Sequence, residues 1–191
     1  MRVTGGYLKG RRLNVPRGIR PTQDKVRSAI FNILRDKIEN ATFLDLFAGS
    51  GSMGIEALSR GAKRVVFVEK SRKALLVLKE NLKRCELKSL GYTDMAKEMR
   101  PQIVAKDALK VVHHGVEIDG FDIIFADPPY NKGFANRVLN LWFTTTFTTE
   151  WNGTKSLRSH PLLILEHSKH EKIPIGTHHT FGDTVITLLF A

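Results

Sequence analysis

Cysteine is almost absent from this chain of 191 residues, because Cys85 is the only one. A single cysteine excludes internal disulfides and a metal site built from clustered cysteines. The histidines do not have the spacing of metal ligands on a helix. We therefore predict no metal site and expect the histidines to lie at the surface.

Long apolar runs are also absent. No stretch approaches the roughly 20 apolar residues that span a bilayer, and residues 1–7 lack the apolar core of a signal peptide. Hydrophobic residues still make up 42% of the chain, which is enough for a core, and the length fits one domain with a modest extension. We expect a cytoplasmic protein with no membrane partner.

Acidic residues are scarce, with 19 Asp and Glu against 30 Lys and Arg, so the net charge is +11. The excess is uneven, since residues 1–40 hold ten basic and three acidic side chains. A basic segment on a nearly neutral body is typical of a protein that binds a polyanion, although a solvated surface has the same composition. We predict a basic arm or hairpin over residues 1–20 and one domain over residues 21–191.

Strand-like and helix-like segments alternate through the rest of the chain. Predicted strands cover Phe43–Phe47, Arg64–Val68, Ile103–Ala105, Phe121–Ala126, Leu162–Leu165 and two runs within His178–Phe190. One predicted helix begins at Thr22, and three others cover Ser52–Ser59, Ser71–Arg84 and Ala135–Phe143. Repeated βα units predict a mostly parallel sheet with helices on both faces, which two antiparallel strands complete. Residues 86–102 and 144–159 are predicted loops.

A glycine-rich loop, Gly49-Ser50-Gly51-Ser52-Met53-Gly54, lies between the first strand and the next helix. It matches G-x-G-x-x-G, and Glu69 follows Gly49 by 20 residues at the end of the second strand. In dinucleotide-binding proteins such glycines let the backbone approach a pyrophosphate, and the acidic residue binds a ribose. The loop alone is compatible with a dinucleotide, with another nucleotide-like cofactor, or with a tight structural turn.

Two acidic residues favour S-adenosylmethionine. Asp45 lies inside the first strand, and a buried carboxylate needs a partner, which a cationic cofactor can supply. Asp107 and Ala108 follow the third strand, where a carboxylate can accept a hydrogen bond from an adenine amino group or can cap a helix. Acidic residues at successive strand ends line the crevice in which open α/β sheets bind ligands.

The most informative motif is Asp127-Pro128-Pro129-Tyr130, directly after an apolar strand. Proline cannot donate to a sheet ladder and disfavours helical backbone before it, so two prolines form a stiff elbow. The carboxylate and a backbone carbonyl can accept both N–H groups of an exocyclic amine, and the ring can stack on a base. The motif therefore indicates a site for a nucleobase amino group, with a simple Asp-Pro turn as the alternative. Glu166, near the fifth strand, is a further candidate for the site.

In this order the motifs resemble those of class I methyltransferases that act on amino nitrogens. Residues near the N-terminus narrow the resemblance: Gly5-Gly6-Tyr-Leu-Lys-Gly10-Arg11-Arg12, Arg20-Pro21-Thr22, Asp24, Arg27 and Phe31-Asn32. With them, nearly the whole chain resembles the bacterial 16S ribosomal RNA guanine-N2 methyltransferase D family. Residues 86–102 and 144–159 are longer than the corresponding loops of that family.

The resemblance implies a Rossmann-like α/β fold, with a mostly parallel seven-stranded sheet, a C-terminal antiparallel hairpin and a small basic N-terminal hairpin. It also implies S-adenosyl-L-methionine as the cofactor and a guanine at position 966 of 16S rRNA as the target. The enzyme would act as a monomer on rRNA within a small-subunit particle. The implied catalytic residues are Asp127, Pro128, Pro129 and Tyr130. The implied cofactor-binding residues are Asp45, Phe47, Gly49, Gly51, Glu69, Lys70, Asp107, Ala108 and Asp127. The residues expected to bind RNA are Lys9, Arg11, Arg12, Arg17 and Arg20.

Two other functions are compatible with parts of the pattern. The Asp-Pro-Pro-Tyr chemistry also suits adenine N6 or cytosine N4 of DNA or another RNA, but 191 residues leave little room for a separate target-recognition domain. A non-catalytic nucleotide sensor would need only the glycine loop, and the intact Asp127–Tyr130 motif argues against it.

Overall fold

One sheet of seven strands organises the computed structural model, which describes residues 1–16, 24–85, 101–114, 120–147 and 161–190. The strands are β1 (Thr42–Leu46), β2 (Arg64–Val68), β3 (Gln102–Val104), β4 (Ile123–Ala126), β5 (Leu162–Ser168), β6 (Thr177–Phe181) and β7 (Thr184–Leu189). The helices are α1 (Asp24–Leu34), α2 (Ser52–Ser59), α3 (Arg72–Arg84), α4 (Ala108–His114) and α5 (Phe134–Phe147), and a 3₁₀ turn covers Arg35–Ile38.

The strand order across the sheet is β3-β2-β1-β4-β5-β7-β6. Strands β3 to β5 pair in parallel, whereas β7 runs antiparallel to both β5 and β6. The predicted mostly parallel sheet with an antiparallel C-terminal hairpin is therefore confirmed. The chain passes from β1 outward to β2 and β3 and then returns to β4 on the other side of β1. Such a reversal opens a crevice at the carboxyl ends of the strands.

Successive residues of β1 point to opposite faces of the sheet and enter two different core layers. Phe43 packs in the layer that includes α1, α2 and the N-terminal segment, whereas Leu44 and Leu46 pack in the layer with α4 and α5. Asp45 therefore shares the face of Phe43, which α2 covers. The strand alternation thus decides that the carboxylate of Asp45 is directed at a helix and not at solvent.

Helix α2 has the predicted bounds, and α3 covers Arg72–Arg84, one residue shorter than predicted, because Ser71 is its N-cap. The hydroxyl of Ser71 accepts a hydrogen bond from Ala74 N at 3.4 Å and caps α3. Beyond the end of α2, Gly61 adopts φ 98°, a conformation that favours glycine. The predicted start of the first helix at Thr22 lies outside the described residues, and α1 is described from Asp24.

Several predicted bounds need correction, and β1 (Thr42–Leu46) and β4 (Ile123–Ala126) differ by one or two residues from the predicted Phe43–Phe47 and Phe121–Ala126. Strand β5 continues through Glu166, His167 and Ser168, because these polar residues pair with Ile186, Val185 and Thr184 of β7. Helix α5 continues into the predicted loop as far as Phe147, so its threonine-rich end is helical despite modest intrinsic propensity. Helix α4 was not predicted, and β3 lies one residue earlier than expected, over Gln102–Val104.

The expectation of surface histidines is wrong for His167. Its side chain is buried in β5, where Nε2 lies 2.8 Å from the hydroxyl of Thr187 and Nδ1 lies 2.9 Å from the carbonyl of Ser168. Burial lowers the pKa of His167, which keeps the ring neutral. Tertiary pairing of β5 with β7 thus places a polar ring where the sequence alone suggested exposure.

The N-terminal segment forms a small hairpin that packs into the body of the protein. Arg2 and Arg12 form an antiparallel bridge, and Val3, Leu8 and Leu13 are buried in the core layer that contains α2. The backbone also pairs with α2, since Tyr7 N donates to the carbonyl of Ser59 at 2.8 Å and Leu8 N donates to its hydroxyl at 2.8 Å. The charged side chains of this hairpin consequently project from a fixed base.

A buried ion pair joins the hairpin, α1 and α2. Arg27 and Glu56 both have fully buried side chains, and Arg27 Nε lies 3.3 Å from Glu56 Oε2. The carboxylate of Glu56 also accepts hydrogen bonds from the backbone N and the hydroxyl of Thr4, at 2.8 and 2.7 Å. Arg60 completes the cluster at 2.8 Å from Oε1. Because both carboxylate oxygens of Glu56 accept hydrogen bonds, the negative charge of Glu56 is tolerated in the interior.

Replacement of Glu56 by alanine tests this arrangement. The change removes the buried carboxylate of Glu56 and leaves the guanidinium of Arg27 with the half-exposed Asp24 as its ion-pair partner. We expect the free energy of unfolding to fall by about 3 kcal/mol, the lower end of the range for a broken buried pair. Urea denaturation monitored by circular dichroism measures the difference.

Glu80→Ala is the matched control. Glu80 forms an ion pair with Arg84 at the same helical spacing as Glu56 and Arg60, but both side chains are about half exposed. Exposed ion pairs contribute little to stability, so the urea concentration at the unfolding midpoint should be the same for Glu80→Ala and the unmodified protein. Equal shifts in the two variants would contradict a special role for burial.

Candidate active site

A cavity of about 460 Å³ lies at the carboxyl ends of β1, β2, β4 and β5. Its size is within the range of about 300–1,000 Å³ that is typical of small-molecule sites. Most of the residues that the sequence singled out line it: Asp45, Phe47, Gly49, Glu69, Lys70, Ala108, Asp127, Pro128, Pro129 and Tyr130. The fold therefore brings the glycine loop and the Asp-Pro-Pro-Tyr motif together around one space.

The glycine loop turns sharply between β1 and α2. Phe47, Gly49 and Gly51 have φ values of 62°, 56° and 78°, in the region that favours glycine. Gly51 itself does not line the cavity, and a Cβ there would lie 2.2 Å from Leu78 Cδ1 of α3. Its role in the structure is thus to let α3 pack closely behind the loop, while Gly49 faces the cavity.

Glu69 holds this loop in place from the end of β2. Its Oε2 accepts a hydrogen bond from Gly49 N at 2.8 Å, and its Oε1 accepts one from Ser71 N at 2.6 Å. One carboxylate therefore connects the glycine loop to the start of α3. Each oxygen of an ionised carboxylate has a second lone pair, so the group can also accept hydrogen bonds from a ligand in the cavity.

Asp45 is a carboxylate at the base of the cavity that is only 1% exposed. Its Oδ2 accepts a hydrogen bond from Gly54 N, in the first turn of α2, at 2.9 Å. Burial raises the pKa of Asp45 to about 7, and the nearby charge of Glu69 acts in the same direction, whereas the Gly54 bond opposes it. Asp45 thus ties β1 to α2 and titrates close to neutral pH.

Asp107 does not line the cavity, although it contacts Lys70, which does. Its Oδ2 lies 2.9 Å from Lys70 Nζ, and its Oδ1 accepts a hydrogen bond from Leu109 N at 3.0 Å, which caps α4. The hydrogen bond from Lys70 lowers the pKa of Asp107. Its neighbours Lys106 and Ala108 line the cavity instead.

The Asp127–Tyr130 segment forms the wall of the cavity beyond β4. Asp127 is half-buried, Pro128 is buried, and Tyr130 is half-buried with its hydroxyl donating to Glu166 Oε1 at 2.9 Å. Burial raises the pKa of the Tyr130 phenol, and the negative charges of Glu166 and Asp127 raise it further. The ring therefore remains a neutral phenol at physiological pH.

The N-terminal hairpin also reaches this cavity, which the sequence did not indicate. Val15 and Pro16 line it, and the preceding Asn14 exchanges two backbone hydrogen bonds with the side chain of Asn81, at 2.8 and 2.9 Å. The same amide nitrogen of Asn81 donates to the carbonyl of Ser50 at 2.9 Å. Asn81 thus joins the hairpin, α3 and the glycine loop.

The residues expected to bind RNA lie partly on this hairpin. Lys9, Arg11 and Arg12 are exposed, and Arg11 Nη1 donates to the carbonyl of Arg84 at 3.4 Å. Arg17 and Arg20 lie outside the described residues. Exposed cations on a rigid support near the cavity provide a surface that can contact phosphates.

Other lining residues had no signal in the sequence. Val68 and Phe125 are strand residues that resemble any core position, and Lys106 is one of many lysines.

Within the described ranges, no group of three or more His, Cys, Asp or Glu side chains is arranged to hold a metal ion. In the same ranges, none of the helices has the length and apolar character needed to cross a membrane.

Comparison with known proteins assigns the family. The family model described as Conserved hypothetical protein 95 matches residues 1–181. Ribosomal RNA small subunit methyltransferase D of Haemophilus influenzae is 34% identical over 143 residues, which cover 74% of this chain and 69% of that protein. The chain belongs to the ribosomal RNA small subunit methyltransferase D family. Its members are S-adenosylmethionine-dependent rRNA methyltransferases.

Solved structures share the fold of this chain. A hypothetical protein from a Thermus species superposes with a TM-score of 0.76 at 28% identity and covers 100% of this chain and 99% of its own. An RNA methyltransferase of Salinibacter ruber, in complex with S-adenosyl-L-homocysteine, has a TM-score of 0.62 at 13% identity over 90% of this chain and 93% of its own. The latter likeness concerns the fold alone. The fold is that of the class I methyltransferases, as the sequence predicted.

The raised pKa of Asp45 predicts a pH-dependent contribution to stability. Because the folded pKa near 7 exceeds the ordinary value of 3.8, the folded protein binds more protons than the unfolded chain between these values. Stability relative to an Asp45→Asn variant should therefore be greatest below about pH 4 and should fall by roughly 4 kcal/mol as the pH rises to 7.

Denaturant unfolding of both proteins between pH 4 and 8 measures this difference. Asparagine can still accept the hydrogen bond from Gly54 N, so the comparison isolates the charge. A difference in stability that does not change with pH would show that Asp45 is not held as a neutral group.

Proposed function

We propose that this protein transfers a methyl group from S-adenosylmethionine to the exocyclic N2 amino group of a guanine in 16S rRNA. The resemblance described above makes position 966 the expected target. The observation that carries the proposal is the placement of Asp127-Pro128-Pro129-Tyr130 around the same cavity as the glycine loop. An amino-nitrogen acceptor and a nucleotide-like donor can therefore meet in one space.

The residues around the cavity suit this cofactor. Glu69 presents a carboxylate that can accept hydrogen bonds from ribose hydroxyls, and Phe47, Val68 and Ala108 provide apolar surface for a purine ring. Asp45 offers a carboxylate toward the cationic end of the ligand, and a nearby cation favours its ionised form. Gly49 leaves room for a close approach to the loop. Asp107 supports the site indirectly, because it caps α4 and holds Lys70.

The chain contributes electrostatics and orientation to the reaction. The cofactor supplies a methyl group on a sulfonium, a good leaving group. The weak partner is the guanine amine, whose lone pair is delocalised into the ring. Hydrogen bonds from its two N–H groups to the Asp127 carboxylate and the Pro128 carbonyl would concentrate that lone pair on nitrogen. Positive charge then develops beside the carboxylate of Asp127, which stabilises the transition state.

Binding of the base requires that it leave any stacked helix. A paired or stacked nucleotide has to be extruded before its amino group can reach the cavity. The ring of Tyr130 can stack on the extruded base, and such contacts contribute roughly 1–3 kcal/mol per base. Transfer would move the methyl carbon from sulfur to nitrogen, and Asp127 or water would accept the proton that the nitrogen loses.

Methylation assays with labelled S-adenosylmethionine test the proposal. The substrates are naked 16S rRNA, small-subunit particles and DNA, followed by mapping of the modified nucleotide. We expect one N2-methylguanine in 16S rRNA, formed preferentially in the particle by a monomeric enzyme. Asp127→Ala should lose about 10²–10³ in turnover, while the Kd for the cofactor changes by a small factor.

Asp183→Ala serves as the control, because this carboxylate lies in the exposed turn between β6 and β7 and pairs with Lys169. Its turnover should match that of the unmodified enzyme. Labelling of DNA alone would favour the alternative of a DNA amino-methyltransferase. Full turnover by Asp127→Ala would show that the carboxylate does not polarise the amine.

The basic hairpin is proposed as the phosphate-binding surface. Because Val3, Leu8 and Leu13 belong to the core, deletion of the hairpin would damage the fold as well as RNA binding. Substitution of its exposed cations is the sharper experiment. Neutralisation of Lys9, Arg11 and Arg12 together should weaken RNA binding and reduce the slope of log K against log salt by up to about three.

Filter binding or fluorescence anisotropy across a range of salt concentrations measures this slope. Lys63→Gln is the matched control, since Lys63 is exposed just before β2, at the end of the sheet opposite the cavity. It should leave both affinity and slope unchanged. An unaltered slope in the triple variant would place the phosphate contacts elsewhere on the protein.

A further inference from the structure

Glu166 is a buried carboxylate to which the proposed reaction assigns no role. It lies in β5, is 4% exposed, and lines the cavity near Asp127 and Tyr130. A carboxylate in such a place is costly unless it has hydrogen-bond donors. The contacts of Glu166 therefore bear on what this group does for the site.

The phenol of Tyr130 supplies one of those donors. Its hydroxyl donates to Glu166 Oε1 at 2.9 Å, and the same phenol oxygen lies 3.3 Å from Thr184 Oγ1. Because the phenol has one hydrogen, which it gives to Glu166, the hydroxyl of Thr184 can act as the donor in the second contact. Thr184 is only 2% exposed, so this oxygen is held in a largely dry environment.

Three neighbouring strands meet at this oxygen. Tyr130 follows β4, Glu166 belongs to β5, and Thr184 begins β7, where it pairs with Ser168 of β5. The Cα end of Tyr130 is constrained by the two prolines before it. The ring is therefore fixed at both ends, by the proline elbow and by the antiparallel hairpin at the edge of the sheet.

We propose that Glu166, assisted by Thr184, is a positioning residue that holds the Tyr130 ring in the orientation in which it receives the target base. The inference rests on the proposed function, since it assigns the ring its stacking role. A ring that is already oriented loses less conformational freedom when the base stacks on it. Hydrogen bonds to ionised groups are also stronger than neutral ones, which suits a fixed wall.

We call the hydrogen bond between Tyr130 and Glu166 the tether. Its loss should weaken binding of the base more than it slows the chemical step. Glu166→Ala removes the acceptor, and Tyr130→Phe keeps the ring but removes the hydroxyl. Each change should raise the KM for RNA about tenfold, the effect expected for one hydrogen bond to a charged group. The KM for S-adenosylmethionine should change by less than about twofold, because neither side chain is assigned to the cofactor.

A double-mutant cycle distinguishes positioning from a general effect on the fold. If both residues act through one hydrogen bond, the double variant should lose about tenfold and not the hundredfold that two independent losses would give. Losses that multiply to about a hundredfold would overturn the proposal. An unchanged KM for RNA in Glu166→Ala would also overturn the proposal.

Conservative variants keep the test valid if Glu166→Ala folds poorly. Glu166→Gln retains an acceptor oxygen, so it should recover most of the RNA affinity that Glu166→Ala loses. If Glu166→Ala folds poorly, Thr184→Val takes its place in the cycle with Tyr130→Phe, because it removes the other contact of the same phenol oxygen. Thr184→Val should cause a smaller loss of the same kind. Thr187→Val is its matched control, because Thr187 is buried on the same strand but bonds to His167 and His178, away from the cavity. This control should leave the KM for RNA unchanged.

Ultraviolet titration of the tyrosines provides a readout that does not depend on activity. Burial and the charges of Glu166 and Asp127 raise the pKa of Tyr130, so removal of Glu166 should allow that phenol to ionise at lower pH. Tyr130→Phe identifies its signal among the three tyrosines. Ionisation of Tyr130 at higher pH in Glu166→Ala than in the unmodified protein would contradict the contact.

These outcomes separate the inference from the proposed function. An enzyme that methylates 16S rRNA and depends on Asp127, but shows no coupling between Tyr130 and Glu166, retains its function without the tether. An altered tyrosine titration together with a failure to methylate any guanine would instead support the tether and overturn the function.

Discussion

The need to satisfy buried and half-buried carboxylates with hydrogen-bond donors is the constraint on which the site depends. Asp45 accepts from Gly54 N, Glu69 accepts from Gly49 N and Ser71 N, and Glu56 accepts from Thr4 N. In each case the donor is a backbone amide of a segment that has to be placed accurately. A carboxylate removed from water without such donors would be strongly destabilising. The acidic residues therefore act as structural connections between the loop, the helices and the hairpin.

The same groups make the cavity electrostatically suited to a cationic donor. Asp45, Glu69, Asp127 and Glu166 surround a space that also has apolar walls. Burial and the proximity of Glu69 raise the pKa of Asp45 to about 7, so a bound cation and this carboxylate would stabilise one another. The proposed target amine also gains positive charge during transfer. In the proposed reaction, one distribution of negative charge would therefore serve both the ligand and the transfer.

The hairpin at the N-terminus links the surface expected to contact RNA with the cofactor cavity. Asn81 bonds to Asn14 and to Ser50, while Glu56 bonds to Thr4, so the hairpin has anchors on α3 and on α2. Val15 and Pro16 then complete the wall of the cavity. Because the exposed Arg11 and Arg12 lie on this same base, a bound RNA and the cofactor would contact parts of one rigid unit. The basic segment is consequently an integral part of the catalytic body.

The sequence by itself determined the order of the βα units, the positions of β2 and α2, the glycine loop and the Asp-Pro-Pro-Tyr elbow. These are local features, since they follow from apolar periodicity, glycine at positive φ and the chemistry of proline. Only the tertiary structure decided the length of β5, the burial of His167, the orientation of Asp107 toward Lys70, and the contacts of Tyr130 with Glu166 and Thr184. Each of these depends on a partner distant in the chain, and a residue's type does not reveal which strand or helix will lie beside it.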